Sequence, residues 1–412
     1  MYTNSIIPLI ENNVPFSPYY FYKVFLKRVS SYYKENPSNR ELCYRLIEDS
    51  DSMFGRYYID PISLPLLLSL SQQLSKSQGD PINLYLSNTP STISVIEFLY
   101  YSDFFHVAGD NINPTFPIGK NILNFNKAYI GGFTSKNIRS EHKIRCYALD
   151  DDLFLMNMIA SIKEEEAKRD YLVEYYTFKV REHFGTLLYE KEVTNELANE
   201  FVMILSELIT NGVIHSQANT FALMFSDRYK TKFSISDNGI GLWASLSNKR
   251  EGNFYKKFEL ANIIQKNLPF HTNPNITRSL LSIFETLYYS MLKNRHGLFD
   301  LMCNVVVDTN GYFRIHNDYC QIIISSRMIN ELIPLYELRK KIVEIHNRNS
   351  FNIISLSEFN NSMTLFTEQG KYEFQNLVNT ILRKFSEDTR FSAIRIFDVK
   401  FRGVHIEVEI PT

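Results

Sequence analysis

The sequence predicts an α+β protein in two units, a smaller α/β unit followed by a larger one that carries the chemistry. Three observations lead there. Strand-length apolar runs alternate with helix-length periodic segments over 56–108. A long amphipathic helix over 195–216 runs straight into a hairpin pattern over 220–236. The chain then ends on another strand, GVHIEVEIPT. With 412 residues, 44% of them hydrophobic and 14% aromatic, the chain can bury two or three cores and is too apolar to remain unfolded.

Bulk properties exclude several classes. Lys+Arg is 44 against Asp+Glu 45, a net charge of −1, so no global basic field indicates nucleic acid. The four cysteines (Cys43, Cys146, Cys303, Cys320) form no CxxC pair, which argues against a zinc site or a disulfide framework and for reduced thiols. The opening MYTNSIIPLIENNVPF has no basic stretch, and the apolar run Leu64 to Leu70 is too short to cross a bilayer. The expectation is a soluble, cytoplasmic protein with no membrane partner.

The first unit is assigned to 1–150. A strand reaches Ile59, a periodic helix follows Pro61, Gly79-Asp80-Pro81 turns the chain, Ile82 to Leu86 is a buried strand, and Thr92 to Tyr101 is a helix. Strands joined through helices imply parallel pairing. This order, with Asp60-Pro61 leading into the helix and the aromatic pair Phe104-Phe105 after the last one, resembles STAS-type domains, the fold of anti-anti-sigma factors; another α/β domain is the alternative. Residues 151–188 read as a helical linker, because SIKEEEAKRDYLVEYYTFKVREHFG places acids and bases at helical spacing. A solvated connecting helix is preferred. A dimerisation helix, with Leu and Tyr on one face, is the other reading, and it keeps a homodimer open.

The third segment, 189–412, contains a helical insertion at about 327–395 and the residues of chemical interest. Leu197, Phe201, Ile204, Leu205 and Leu208 form a core-facing stripe on one helix, and Glu207, Asn211 and His215 form a polar line beside it. An Asn carbonyl on such a line can hold Mg²⁺, and a carboxylate one turn earlier can orient or deprotonate a nucleophile. By itself E-x-x-x-N-x-x-x-H is a weak signal, since most such lines are solvated faces. The hairpin after it ends in Asp237-Asn238-Gly239-Ile240-Gly241, where the glycines admit positive φ and close approach of a ligand. A plain turn explains D-N-G alone; it does not explain that turn following E-x-x-x-N by about thirty residues.

Together these segments resemble the N-box and first glycine box of the GHKL (Bergerat-fold, histidine-kinase-like) ATPases, and the N-G-V-I-H-S continuation is closest to the anti-sigma-factor branch. The resemblance implies an α/β sandwich, a mixed sheet with helices on one face, with ATP and Mg²⁺ as cofactors. Asp237 would accept from the adenine amino group, and Gly239 and Gly241 would shape the adenine wall. Asn211 would hold the Mg²⁺, and Glu207 would be the general base. The second glycine box matches only as Arg295-His296-Gly297-Leu298, with Arg295 in place of the family's first glycine. Arg295 then either contacts phosphate itself or marks a reshaped loop. Ser247 to Asn275 would be the lid. Trp243 reads as core packing near that lid, and Gly131-Gly132 reads as a loop without phosphate-binding context. The implied function is a regulatory or signalling kinase of the anti-sigma-factor type acting on a protein partner, such as a STAS-type or sigma-factor-type regulator. The alternatives are an ATP-driven conformational switch and a non-catalytic nucleotide-gated interaction module.

Overall fold

The computed structural model of the chain describes residues 6–37, 41–48, 55–87, 89–110, 119–131, 133, 141–216, 219–266, 268, 273–384 and 392–412, the side chains of 215, 216 and 384 excepted. It is an α+β structure with one parallel and one antiparallel sheet. Among the described residues, no helix is long and apolar enough to cross a membrane.

The parallel sheet has the order β1 (Ile6–Ile10), β2 (Cys43–Ile47), β3 (Ile82–Tyr85), β4 (Leu123–Asn124). Between β1 and β2 run the short α1 (Pro18–Tyr20), a π-helical turn at Phe21–Phe25 and α2 (Leu26–Glu35). α3 (Leu64–Gln78) joins β2 to β3. Its ends follow the sequence signals. The Asp60 carboxylate accepts the Ile62 N–H at the turn before it, and Gly79 ends it at φ +88°. α4 (Ile93–Tyr101) and α5 (Phe104–Ala108) lead on to β4. The strand expected to reach Ile59 is only a single bridge, Phe16 to Ile59; the neighbour of β3 is β2, some fifteen residues earlier.

The second sheet runs β5 (Ile144–Tyr147), β6 (Thr220–Ser226), β7 (Lys230–Asp237), β9 (Ile394–Pro411), β8 (Tyr312–Ser325), and each neighbouring pair is antiparallel. The mixed sheet expected for this unit is therefore antiparallel. β5 lies within the 1–150 assigned to the first unit, yet it pairs with β6.

Strand alternation explains why both faces of this sheet are buried. Ala222, Met224, Phe233 and Ile235 enter one core, under α7 (Glu165–Glu190), α8 (Glu192–Glu196), α9 (Ala198–Ser216), α12 (Pro274–Leu292) and α13 (Leu298–Cys303). Phe221 and Leu223 point the other way, into a core shared with Phe21 and the leucines of α3. Helices thus cover both faces, where one was expected. α3 sits between the two sheets, which is why Leu64 through Gln72 are all buried, serines included. Polar contacts cross the same seam. Ser69 Oγ donates to the Ser236 carbonyl (3.2 Å), Lys232 pairs with Asp60 (2.9 Å), and the Tyr22 hydroxyl lies 3.0 Å from His405 Nδ1 while its ring stacks on His316 at 3.8 Å.

α6 (Leu153–Ser161) precedes α7. The charged stretch expected as a solvated connection is instead a core helix: Leu172, Tyr176, Val180, Phe184 and Leu187 recur at helical spacing and are buried in the same core as α9. That packing also uses the apolar face the dimerisation reading needed. α10 (Gly241–Asn248) leads into the expected lid stretch and α11 (Glu259–Lys266) lies within it; of that stretch 267 and 269–272 lie outside the described residues, as does Gly132. Two α-helices lie between β8 and β9 among the described residues. α14 (Ile329–Ser350) and α15 (Leu356–Lys384) pack on each other and on α12, while β8 and β9 remain paired at their base through Gln321 and Arg395.

Candidate functional site

α9 starts at Ala198, after Leu197 ends α8, and lays Phe201, Val202, Leu205 and Ile209 on the sheet. That registration buries Glu207 and leaves Asn211 half-buried one turn further on. Gly212 comes next. A Cβ there would overlap the Thr220 hydroxyl, so glycine allows the last turns of α9 to sit directly on the first residue of β6. Thr220 is the cross-strand partner of Asp237, and both side chains point to the α9 side. Gly212 on α9 and Asp237 at the end of β7 therefore both lie against Thr220, at one end of the sheet. Among the described residues the buried Thr220 hydroxyl has no hydrogen-bond partner, an unmet polar group beside the Asp237 carboxylate.

Asp237 closes β7. Burial pushes its carboxyl up to about 6, against the Gly239 and Val404 N–H groups, which pull it down. The Gly239 N–H donates to Asp237 Oδ1 at 2.8 Å. Gly241 adopts φ +77° at the start of α10, with the position of a Cβ only 3.2 Å from Asn317 Oδ1. That oxygen accepts the Leu242 N–H (3.0 Å), and Asn317 Nδ2 donates to Ser282 Oγ on α12 (3.0 Å). From behind, Asn238 Nδ2 donates to Gln72 Oε1 on α3 (2.8 Å), so the first unit holds the same turn. Gly403, at φ +114°, passes so close to the Asp237 carbonyl that any Cβ would overlap it.

The other half of the predicted set is arranged differently. Glu207 Oε2 is 2.5 Å from Arg169 Nη2 on α7. Arg295 reaches Asp170 (2.7 Å) and Glu166 (3.5 Å), also on α7. Leu298 is buried and opens α13, but the Gly297 N–H donates to Asp300 Oδ2 (2.9 Å) and the Phe299 N–H to Ser290 Oγ (3.1 Å). Asp300 is in turn fixed by the buried Arg339, which also donates to the carbonyls of Met291, Lys293 and Arg295. The loop expected to offer backbone donors has these two occupied by side chains. Trp243 stacks on Phe258 (4.2 Å) with the Arg278 guanidinium over it (5.1 Å), consistent with packing. The side chain of His215 lies outside the described residues.

A cleft of about 480 Å³ lies behind α13, lined among others by Glu200, His296, Tyr336, Lys340 and Phe351. His296 of the expected second glycine box lines it, but Glu207, Asn211, Asp237, Gly239, Gly241, Arg295, Gly297 and Leu298 do not. Sequence reasoning missed Arg169, Asn317 and Arg339. Asn317 gave no signal, because its role depends on a register shift in the β8–β9 pairing at Asn317/Asp318. Arg169 sat in a charged run read as solvated, although the apolar period within that run already pointed to a packed helix.

Comparison with family models, with curated proteins and with solved structures finds no match to the chain.

Proposed function

We propose that residues 189–412 form a nucleotide-binding module of the GHKL type, taking Mg-ATP at the end of β7 and serving a regulatory role. One observation carries the reading: the E-x-x-x-N helix and the D-x-G-x-G turn, about thirty residues apart in sequence, meet at one end of one sheet through Gly212, Thr220 and Asp237. The order of elements supports it further. The turn is followed by α10 to α12, Gly297-Leu298 opens a buried helix, and the final strand pairs beside β7. Asp237, ionised above its value of about 6, would accept from an exocyclic amino group, which a protonated carboxyl does less well. Asn211 would hold Mg²⁺, an ion that retains several waters and bridges phosphates.

A second reading, nucleotide binding without turnover, is favoured by the Arg169–Glu207 pair and by the Gly297 N–H held by Asp300. A carboxylate engaged by a guanidinium is not free to orient a nucleophile, and departure of Arg169 would release it. Phosphotransfer to a serine or threonine of a partner protein remains the proposal for the catalytic form. Calorimetry with ATP, with and without Mg²⁺, tests the reading. The wild-type chain should bind, Asn211→Ala should lose the Mg²⁺ dependence, and Asp237→Asn should weaken binding by at least about tenfold. Absence of binding, or equal affinity in Asp237→Asn, would refute it.

A further inference from the structure

Four cations gather on the α9 side of the candidate loop, brought there by three different helices. Lys249 follows α10 and Lys293 follows α12, and both ammonium groups approach the Tyr289 ring, at 5.8 and 4.4 Å. Arg169 arrives from α7, close enough to push Lys249 toward its neutral form, and it reaches Glu207 at 2.5 Å. Arg295 is tied to Asp170, the residue after Arg169, at 2.7 Å. Among the described residues, Arg169 pairs with Glu207, which is buried, and Arg295 with Asp170 and Glu166, whose side chains are 61% and 87% exposed. Water screens the last two, so their compensation is small. The local field is therefore positive, although the chain as a whole is nearly neutral. Lys249 registers that field. Burial first, then Arg169 and Lys293, pull its ammonium down to about 8.

The same region has little else to offer an anion. Asp300 holds the Gly297 N–H and Ser290 holds the Phe299 N–H, while Arg339 locks Asp300 and three carbonyls of the preceding segment. Resting on the nucleotide reading above, we infer that the phosphate end of the ligand is held by side-chain cations, Arg169, Lys249 and Lys293 with Arg295 at the rim, rather than by the backbone of the Arg295-to-Leu298 loop, and that the ligand class is a polyphosphate. An incoming phosphate oxygen takes the place of the Glu207 carboxylate at Arg169. Glu207 is released, and the first turns of α7 lose their tie to α9, keeping those to Arg295. Ligand entry and the exposure of Glu207 are then one event, with Arg169 as a positioning residue.

Inorganic tripolyphosphate separates this inference from the adenine half of the site. Calorimetry on the full chain at low salt should show tripolyphosphate binding that weakens at least about tenfold in Lys249→Gln and in Arg169→Gln. It should also weaken steeply with added salt and be unchanged in Asp237→Asn. Adenosine binding should show the reverse pattern, lost in Asp237→Asn and kept in Lys249→Gln. Lys249→Gln leaves the Arg169–Glu207 pair in place, so it reports on the site even where Arg169→Gln unfolds. The inference is overturned when wild-type protein fails to bind tripolyphosphate, or when Lys249→Gln binds it as tightly as wild type. Loss of the adenosine pattern alone overturns the nucleotide reading and leaves the anion site standing.

Discussion

Asp237→Asn should stabilise the protein at neutral pH while weakening its ligand binding. Burial raises the Asp237 carboxyl from 3.8 to about 6, so the folded state holds the proton more tightly than the unfolded chain does. The stability associated with the protonated group is fully present below 3.8 and is lost as pH rises from 3.8 through 6. At pH 7 the 2.2-unit difference (6 − 3.8) corresponds to about 3 kcal/mol of lost stability, and at pH 5 to about 1.5 kcal/mol. Asparagine imitates the neutral carboxyl and can still accept one of the two backbone N–H groups, from Gly239 or Val404. Losing the other costs about 1 kcal/mol at either pH. The variant should therefore gain about 2 kcal/mol over wild type at pH 7 and less than about 1 kcal/mol at pH 5. Urea denaturation of both proteins at the two pH values measures this directly. Destabilisation of equal size at both pH values would show that Asp237 is a structural carboxylate stabilised by its backbone donors, and the site argument would fail.

Three further outcomes follow from the packing. Arg339→Met leaves Asp300 buried without its partner and strands three carbonyls, and should cost about 3–5 kcal/mol in urea denaturation; a loss below about 1 kcal/mol would mean that the loop before α13 does not depend on α14. Gly403→Ala meets both a positive φ and the Asp237 carbonyl, so it should destabilise by about 1–3 kcal/mol and weaken ATP binding together, and normal binding in a folded variant would contradict the close approach. Glu407 is raised by burial from 4.5 to about 7, with the Arg314 guanidinium opposing, so its contribution to stability falls as pH rises from 4.5 through 7. Glu407→Gln should remove that slope from a series of thermal melts, and an unchanged slope would place the titration elsewhere.

Local chemistry was legible in the sequence where one element decides it. Asp60-Pro61 and Gly79 set the limits of α3, and the alternation in Lys232 to Ser236 set β7, because caps and strand faces are properties of neighbouring residues. The approach of the α9 end to the Asp237 turn was expected only through a family pattern; its physical cause, Gly212 resting on Thr220, needs the register of β6 against β7. The second face of the antiparallel sheet was not legible. Ser69, Ser71 and Gln72 look solvent-facing in a helix, and only the presence of a sheet on each side of α3 explains their burial. Arg169 and Arg339 escaped for a related reason. Each is a long cation in a charged helix, and its partner lies at least 38 residues away.

The most direct test is a structure of the chain with Mg²⁺ and a non-hydrolysable ATP analogue. The adenine amino group is expected within hydrogen-bond distance of the Asp237 carboxylate and the Mg²⁺ on the Asn211 side-chain carbonyl, with the phosphates among Arg169, Lys249 and Lys293. A nucleotide seated instead in the cleft behind α13, or one that leaves Asp237 untouched, would contradict the account.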